Sequence, residues 1–209
     1  MCKSAPHPRT RSSRIGGFSM VELVVSLTIL LVLTAIAIPS LMHSLRTYQL
    51  NDAAARLSDM LKFTRFEAVR RNTQINFQIT QSGTGWITWT DSFNNGNNGP
   101  IDPRDKQQQI AGFATLLRSG VAPGPAAIST ALGGAALTPL SGNPGTVTFD
   151  ARGAIRNGIG GPISNAVYVF YVGATSNPDE FGYRAVVLLP SGSTQVWTAP
   201  AGGPWKQIA

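Results

Sequence analysis

The hydrophobic pattern of the chain changes period twice. From Phe18 to Ile38 it is continuously apolar, broken only by one acid, Glu22, and by the mild hydroxyls of Ser19, Ser26, Thr28 and Thr34. These 21 residues match the ~20 that a helix needs to cross ~30 Å of hydrocarbon. Pro39 follows, where a helix loses one backbone bond, so a bend or a partly melted turn is expected. Helical spacing then resumes. Leu50, Ala54, Leu57, Leu61, Thr64 and Ala68 step by four and three along one narrow face, with Asn51, Arg56, Asp59, Lys62, Arg65 and Arg70 largely off it. The spacing predicts a helix to about Asn72, ~80 Å long if continuous.

Past Asn72 the period becomes two. "INFQIT" (Ile75–Thr80) and "WITWT" (Trp86–Thr90) alternate on either side of "SGTG", which predicts a hairpin. Further strands are expected in "GTVTFDARGAI" (Gly145–Ile155), "NAVYVFYVG" (Asn165–Gly173) and "YRAVVLLP" (Tyr183–Pro190), with "STQVWTA" returning across a "PSG" turn. Between Ser119 and Phe149 there is no charged residue, and Gly, Pro and Ala crowd the segment. It is expected to be a surface excursion with one short strand or helix at most, and it marks no domain boundary.

Charge alters the reading of the apolar run. Lys3, Arg9, Arg11 and Arg14 precede it without an acid among them, so much of the formal +7 is a topology signal placing that end in the cytoplasm. Beyond Gly17 there remain 13 basic and 10 acidic residues. The single cysteine, Cys2, cannot form an internal disulfide. A plain signal anchor would explain the run but gives Glu22 no use. A cleaved secretory signal ending at "AIA" (Ala35–Ala37) is opposed by the length of the run and by the acid. A third reading uses Gly16 and Gly17, small residues that would let a peptidase reach the Gly17–Phe18 bond. Cleavage there keeps the helix and creates an ammonium on Phe18, one helical turn (~6 Å) from Glu22. A carboxylate in lipid is costly unless paired. Its partner would be that amine, in its own chain or in a neighbouring parallel helix, and the pair would set the axial register between subunits.

The stretch "GGFSMVELVVSLTILLVLTAIAIPS" closely resembles the type III signal of type IV pilins and type II secretion pseudopilins. The resemblance rests on the glycine before the cut, the aromatic first residue and the acid at the fifth mature position. It implies cleavage and N-methylation at Gly17 and Phe18 by a prepilin peptidase, subunit register set by Glu22, and a helix kink at Pro39. A second resemblance covers the rest of the chain. "ARLSDMLKFTRFEAVRRNTQINFQI", "GWITWTDSFNNGNNGPIDPRD", "VTFDARGAI" and "RAVVLLPSGSTQVW" are similar to the GspH/FimT family of minor pseudopilins and minor pilins. The Ser119–Asn143 loop has no counterpart in it. Asp150 and Gly153 read as turn residues and not as a site.

No catalytic constellation is present. His43 is the lone histidine beyond the cut and would be solvated, no cysteine nucleophile remains, and no nucleophile elbow or phosphate loop appears. Asp179 and Glu180 stand together in a Pro-containing loop and read as a solvated turn. "DSFNNGNNGPIDPRD" (Asp91–Asp105) offers hard oxygen ligands, but its spacing is not that of an EF-hand, so no metal or other cofactor is assigned. Some FimT-type minor pilins bind DNA through a Gly-Arg-x-Arg-like hairpin near the C-terminus. The matching place here reads "SGSTQVW", which keeps Gly192 without the arginines, so a nucleic-acid partner is not expected. Arg65, Arg70 and Arg71 are accounted for by a helix C-terminus.

The expected fold is α+β and pilin-like: a long N-terminal helix, transmembrane and then amphipathic, packed on a mainly antiparallel β-sheet head. The expected parts are a cleaved leader (1–17), a transmembrane part of the helix (18–39), an amphipathic part (40–72) and a periplasmic head (73–209). The resemblance implies a non-enzymatic minor pseudopilin in the bacterial inner membrane, N-terminus cytoplasmic, assembled into a periplasmic pseudopilus. Its implied partners are other pseudopilins or pilins, the prepilin peptidase and the inner-membrane assembly platform. The alternative is a type IV minor pilin acting in pilus priming or DNA uptake; the helix does not separate the two.

Overall fold

The computed structural model describes residues 17–83, 85–93, 102–118, 120–140 and 145–208. The basic leader residues, Cys2, His7 and Gly16 lie outside them, as do Ser119, 141–144 and the middle of the Asp91–Asp105 loop. The first helix, α1, spans Met20–Arg71 and runs through Pro39 without interruption. Ser19 starts it, its Oγ accepting the Val21 N–H at 3.3 Å and its carbonyl accepting the Leu23 N–H at 3.1 Å. Asn72 stops it by taking a left-handed conformation (φ 50°). The Thr73 N–H then donates back to the Ala68 carbonyl and the Asn72 N–H to that of Val69, which closes the last turn. Arg70 and Arg71 occupy that turn, where cations complement the helix dipole.

The described chain divides into two compact units, one ending at Met42 and the other running from His43 onward. In the first, every described side chain is exposed. Among the described residues α1 is the one helix long and apolar enough to cross a membrane. The two threonine hydroxyls of this first unit are closed off locally, as suits hydrocarbon: that of Thr28 donates to the Val24 carbonyl, and that of Thr34 to those of Leu30 and Leu31.

The second unit holds two sheets. One is formed by β1 (Ile75–Ser82), β2 (Gly85–Asp91), β3 (Gln107–Ile110), β6 (Gly145–Phe149) and β7 (Ile155–Arg156), in the order β3-β2-β1-β6-β7. The other is formed by β4 (Ala114–Leu117), β8 (Val167–Ala174), β9 (Tyr183–Leu188), β10 (Thr194–Ala199) and β11 (Lys206–Gln207), in the order β11-β10-β9-β8-β4. Neighbouring strands on these two paths are antiparallel; β5 (Leu137–Pro139) adds to β8 in parallel. Short helices α2 (Ala126–Ala131) and α3 (Pro178–Phe181) lie between strands. The expected hairpins β1–β2 and β9–β10 are both present.

Two cores result. The first joins the Leu50, Ala54, Leu57, Leu61 and Ala68 face of α1 to Phe77 and Phe149 of the first sheet and to Phe170, Val186 and Leu188 of the second. The second lies across the other face of the second sheet, where Val169, Tyr171, Val187 and Trp197 meet Ile128 and Trp205. Of the described residues 120–140 only Ile128 is buried, so the uncharged segment does run over the surface, but it carries two short elements where one at most was expected. It supplies α2, whose fully buried Ile128 packs on a sheet face that would otherwise expose aromatic and branched side chains, and β5, which extends that sheet beside β8. Its lack of charge suits it to that packing.

Candidate processing and assembly site

The sequence-predicted processing residues stand together just before and within the first turn of α1. Gly17 and Phe18 precede the helix in non-helical backbone. A side chain added at Gly17 would meet nothing within 4 Å, and Phe18 is 75% exposed, so the bond between them is sterically open. Glu22 lies in the first helical turn, where a carboxylate complements the dipole. It is exposed, and its carboxylate has no hydrogen-bond or ion-pair partner among the described residues.

The other conspicuous run, Arg65 to Asn72 at the end of α1, is brought together for structural ends. Glu67 is buried and accepts Arg70 Nε at 3.0 Å on Oε1 and Arg70 Nη2 at 2.7 Å on Oε2. Arg71 Nε donates to the same Oε2 at 2.9 Å, and Arg71 Nη1 to the Ser92 carbonyl at 3.0 Å. The hydrogen bond from Arg70, opposed by burial and aided by Arg71, holds the Glu67 carboxyl below the usual range. Arg65 Nε donates to the Gly153 carbonyl at 3.2 Å. These three arginines are thus tied to acceptors of their own chain.

Gly153 and Gly192, on two different turns, form the slot that holds Arg65. Both have positive φ (79° and 78°), and a Cβ at either would run into the Arg65 side chain. At Gly192 it would also collide with the Gly153 carbonyl. Asp150 organises the first of these turns by accepting the Arg152 and Ala154 N–H groups, each at 2.9 Å, as its reading as a turn residue requires. Burial works against its charge, but those two N–H groups and Arg156 outweigh it, so its carboxyl sits below the usual range.

The acidic loop shows a mixed environment. Arg104 pairs with Asp102 and lowers that carboxyl to about 2. Asp105 is pushed up by burial, despite the Ser92 N–H, with the charges of Asp91 and Asp102 adding to the rise. Among the described residues no group of three or more acids, histidines or cysteines is placed to hold a metal ion. His43, expected in solvent, remains exposed but lays its ring 5.1 Å from that of Phe181. Arg46 stands 5.6 Å from the rings of both Phe113 and Phe181. Asp179 and Glu180 are exposed, as expected, but lie in the short helix α3 and not in a turn, and Asp179 accepts the Tyr183 hydroxyl at 2.5 Å, which anchors α3 to β9. Sequence reasoning passed over Arg184. It is the one charge in a strand buried throughout, and that contrast was the available signal.

A family model for the type II transport protein GspH matches residues 53–192, and one for the prokaryotic N-terminal methylation motif matches residues 12–38. Two crystal structures of the type IV minor pilin FimU of Pseudomonas aeruginosa are similar. One has 17% identity and a TM-score of 0.46, covering 77% of this chain and 93% of that one. The other has 18% identity and a TM-score of 0.43, covering 76% and 97%. A search of curated proteins gives no match.

Proposed function

The chain belongs to the GspH family of type II transport proteins, and from that premise we propose that it is a minor pseudopilin of a type II secretion system. The family is one of filament subunits and not of enzymes, and it implies processing by a prepilin peptidase and assembly with other pilins. The observation that carries the proposal is the pairing of a GspH head (53–192) with a methylation motif (12–38) in one chain. In the proposal the leader (1–17) is removed between Gly17 and Phe18, and Phe18 is N-methylated. Residues 18–39 anchor the subunit in the inner membrane with its N-terminus cytoplasmic. The amphipathic part (40–72) and the head (73–209) stand in the periplasm, and the subunit enters a short periplasmic filament that drives protein export.

Two features support this reading. The open Gly17–Phe18 bond suits a peptidase, and the unpartnered Glu22 carboxylate suits an ammonium on Phe18 of its own or a neighbouring chain. Pro39 then marks where the helix can bend when packed among others. Intact-mass measurement of the membrane-extracted protein is expected to give a methylated Phe18 terminus; a terminus at Ile38 would sink the pilin reading. In-frame deletion in the host is expected to reduce export of secreted enzymes into the medium and to leave pilus-driven motility intact. The reverse pattern would assign the subunit to a type IV pilus.

A further inference from the structure

Arg184 lies on β9, all six residues of which are buried, and it is itself only 6% exposed. Its Nε donates to Asn51 Oδ1 at 2.6 Å and its Nη1 to the Tyr183 carbonyl at 3.0 Å. Both acceptors are neutral. A guanidinium carries five N–H donors, and no carboxylate of the described residues comes within ion-pair distance of this one. Burial accordingly pulls its pKa down, with no anion to restore it. The nearby acids do not serve. Asp179 takes the Tyr183 hydroxyl, which pushes that phenol up to about 12, and the exposed Glu180 forms no ion pair.

The charge is not sealed in. Arg184 lines an open depression of about 280 Å³ together with Gly182, Thr198 and Ala199, and the two acids Asp179 and Glu180 are part of the same lining. Gly182 keeps the floor low: its φ is 70°, and a Cβ there would meet the Ala199 carbonyl at 2.6 Å. A buried cation held only by neutral acceptors is an incomplete arrangement, and a carboxylate is the group whose geometry fits the free edge of the arginine fork.

We propose that this depression is a docking site for a carboxylate side chain of a neighbouring filament subunit, which completes the hydrogen bonding of Arg184. The proposal rests on the filament-subunit reading only for the identity of the partner. A solvated small anion would gain little from one cation in an open depression. A subunit held in the same filament presents its carboxylate at a high effective concentration. Asp179 and Glu180 in the lining further select a partner whose acid is flanked by a basic residue, which pairs with them while its acid pairs with Arg184. The head thereby gains a specificity that the generic apolar helix cannot supply.

The test uses the full chain, expressed in its host with the other subunits, carrying a photo-crosslinking phenylalanine analogue at the exposed Ala201 or, separately, at Leu30. Ala201 is expected to link to another pilin subunit within a few residues of an Asp or Glu. Asn51→Asp places a competing carboxylate beside Arg184 Nε, so it should reduce the Ala201 cross-link about tenfold or more. The same variant should keep or raise the thermal midpoint and leave the Leu30 cross-link intact. If Arg184 serves only the fold, Asn51→Asp leaves the Ala201 cross-link unchanged. That result, or a linked segment without an acid, overturns the proposal. Loss of pilin cross-links from Leu30 as well would overturn the filament reading itself.

Discussion

Replacing Gly192 by Ala probes the contact that ties the β9–β10 turn to α1. Gly192 has φ 78°, donates its N–H to the Leu189 carbonyl at 2.8 Å, and faces both the Gly153 carbonyl and Arg65. An alanine in this left-handed conformation costs about 1–2 kcal/mol, and the stiffer unfolded chain returns about 0.4–1 kcal/mol. The steric clash costs more. The added methyl would occupy the place of the Gly153 carbonyl, which is backbone and is itself the acceptor of Arg65 Nε. Moving two turns apart to admit it is an overpacking cost of about 1–3 kcal/mol. The net is about 1–4.6 kcal/mol, which for a protein of this size lowers the thermal midpoint by roughly 2–18 °C. Thermal unfolding of the full chain in detergent, followed by near-ultraviolet circular dichroism, measures it. Arg65→Ala in the same background should rescue little, because the collision with the carbonyl remains. A Gly192→Ala midpoint within about 1 °C of the parent, against the shift that strain and clash together should produce, would refute the reasoning.

Glu67→Gln should destabilise the protein at neutral pH by about 1 kcal/mol, a figure held down by the half-exposed arginines that face it. Because the folded carboxyl is lowered, its contribution is present above the unfolded value and is lost as pH falls through the folded one. The gap between parent and variant midpoints should therefore narrow below about pH 4; a gap that widens there would contradict the pairing. Glu22→Ala should be cleaved and inserted normally but assemble poorly, with less N-methylation of Phe18. Co-purification with the other pilins at the parental yield would show that the carboxylate does not set register.

Periodicity made the fold legible where one face decides burial. All six residues of the four-and-three stripe, Leu50 to Ala68, are fully buried, and β1 and β2 start and stop within two residues of their alternating runs. It misled where a segment's partner lies far away in sequence. The Ala/Gly/Pro run has no period of its own: α2 finds its place by packing Ile128 on the face of the second sheet, and β5 by pairing with β8. A signal was present: "VYVFYVGA" and "YRAVVL" are apolar at nearly every position, the mark of a sheet covered on both sides. β3 and β4 were missed for a related reason, since "QQQI" and "ATLL" are too short to show alternation. Of the candidate site, the residues around the cut were legible because an acid within an apolar run is chemically anomalous. The burial of Glu67 was not, because an acid beside two arginines reads as a solvated helix face.

A strand apolar on both faces carries a hazard for folding. Along β9, Val186 and Leu188 enter the first core and Tyr183, Ala185 and Val187 the second. Polarity alone would not object if β9 slid by one residue against β8 and β10, because hydrophobic side chains would still fill both sides. Arg184 does object. In the native pairing it sits opposite Val172 and Thr198 and reaches Asn51 on α1. A one-residue slip would turn the guanidinium towards the second core, among Ile128, Tyr171 and Trp205. One residue that weakens the native sheet thereby penalises its misaligned competitors far more.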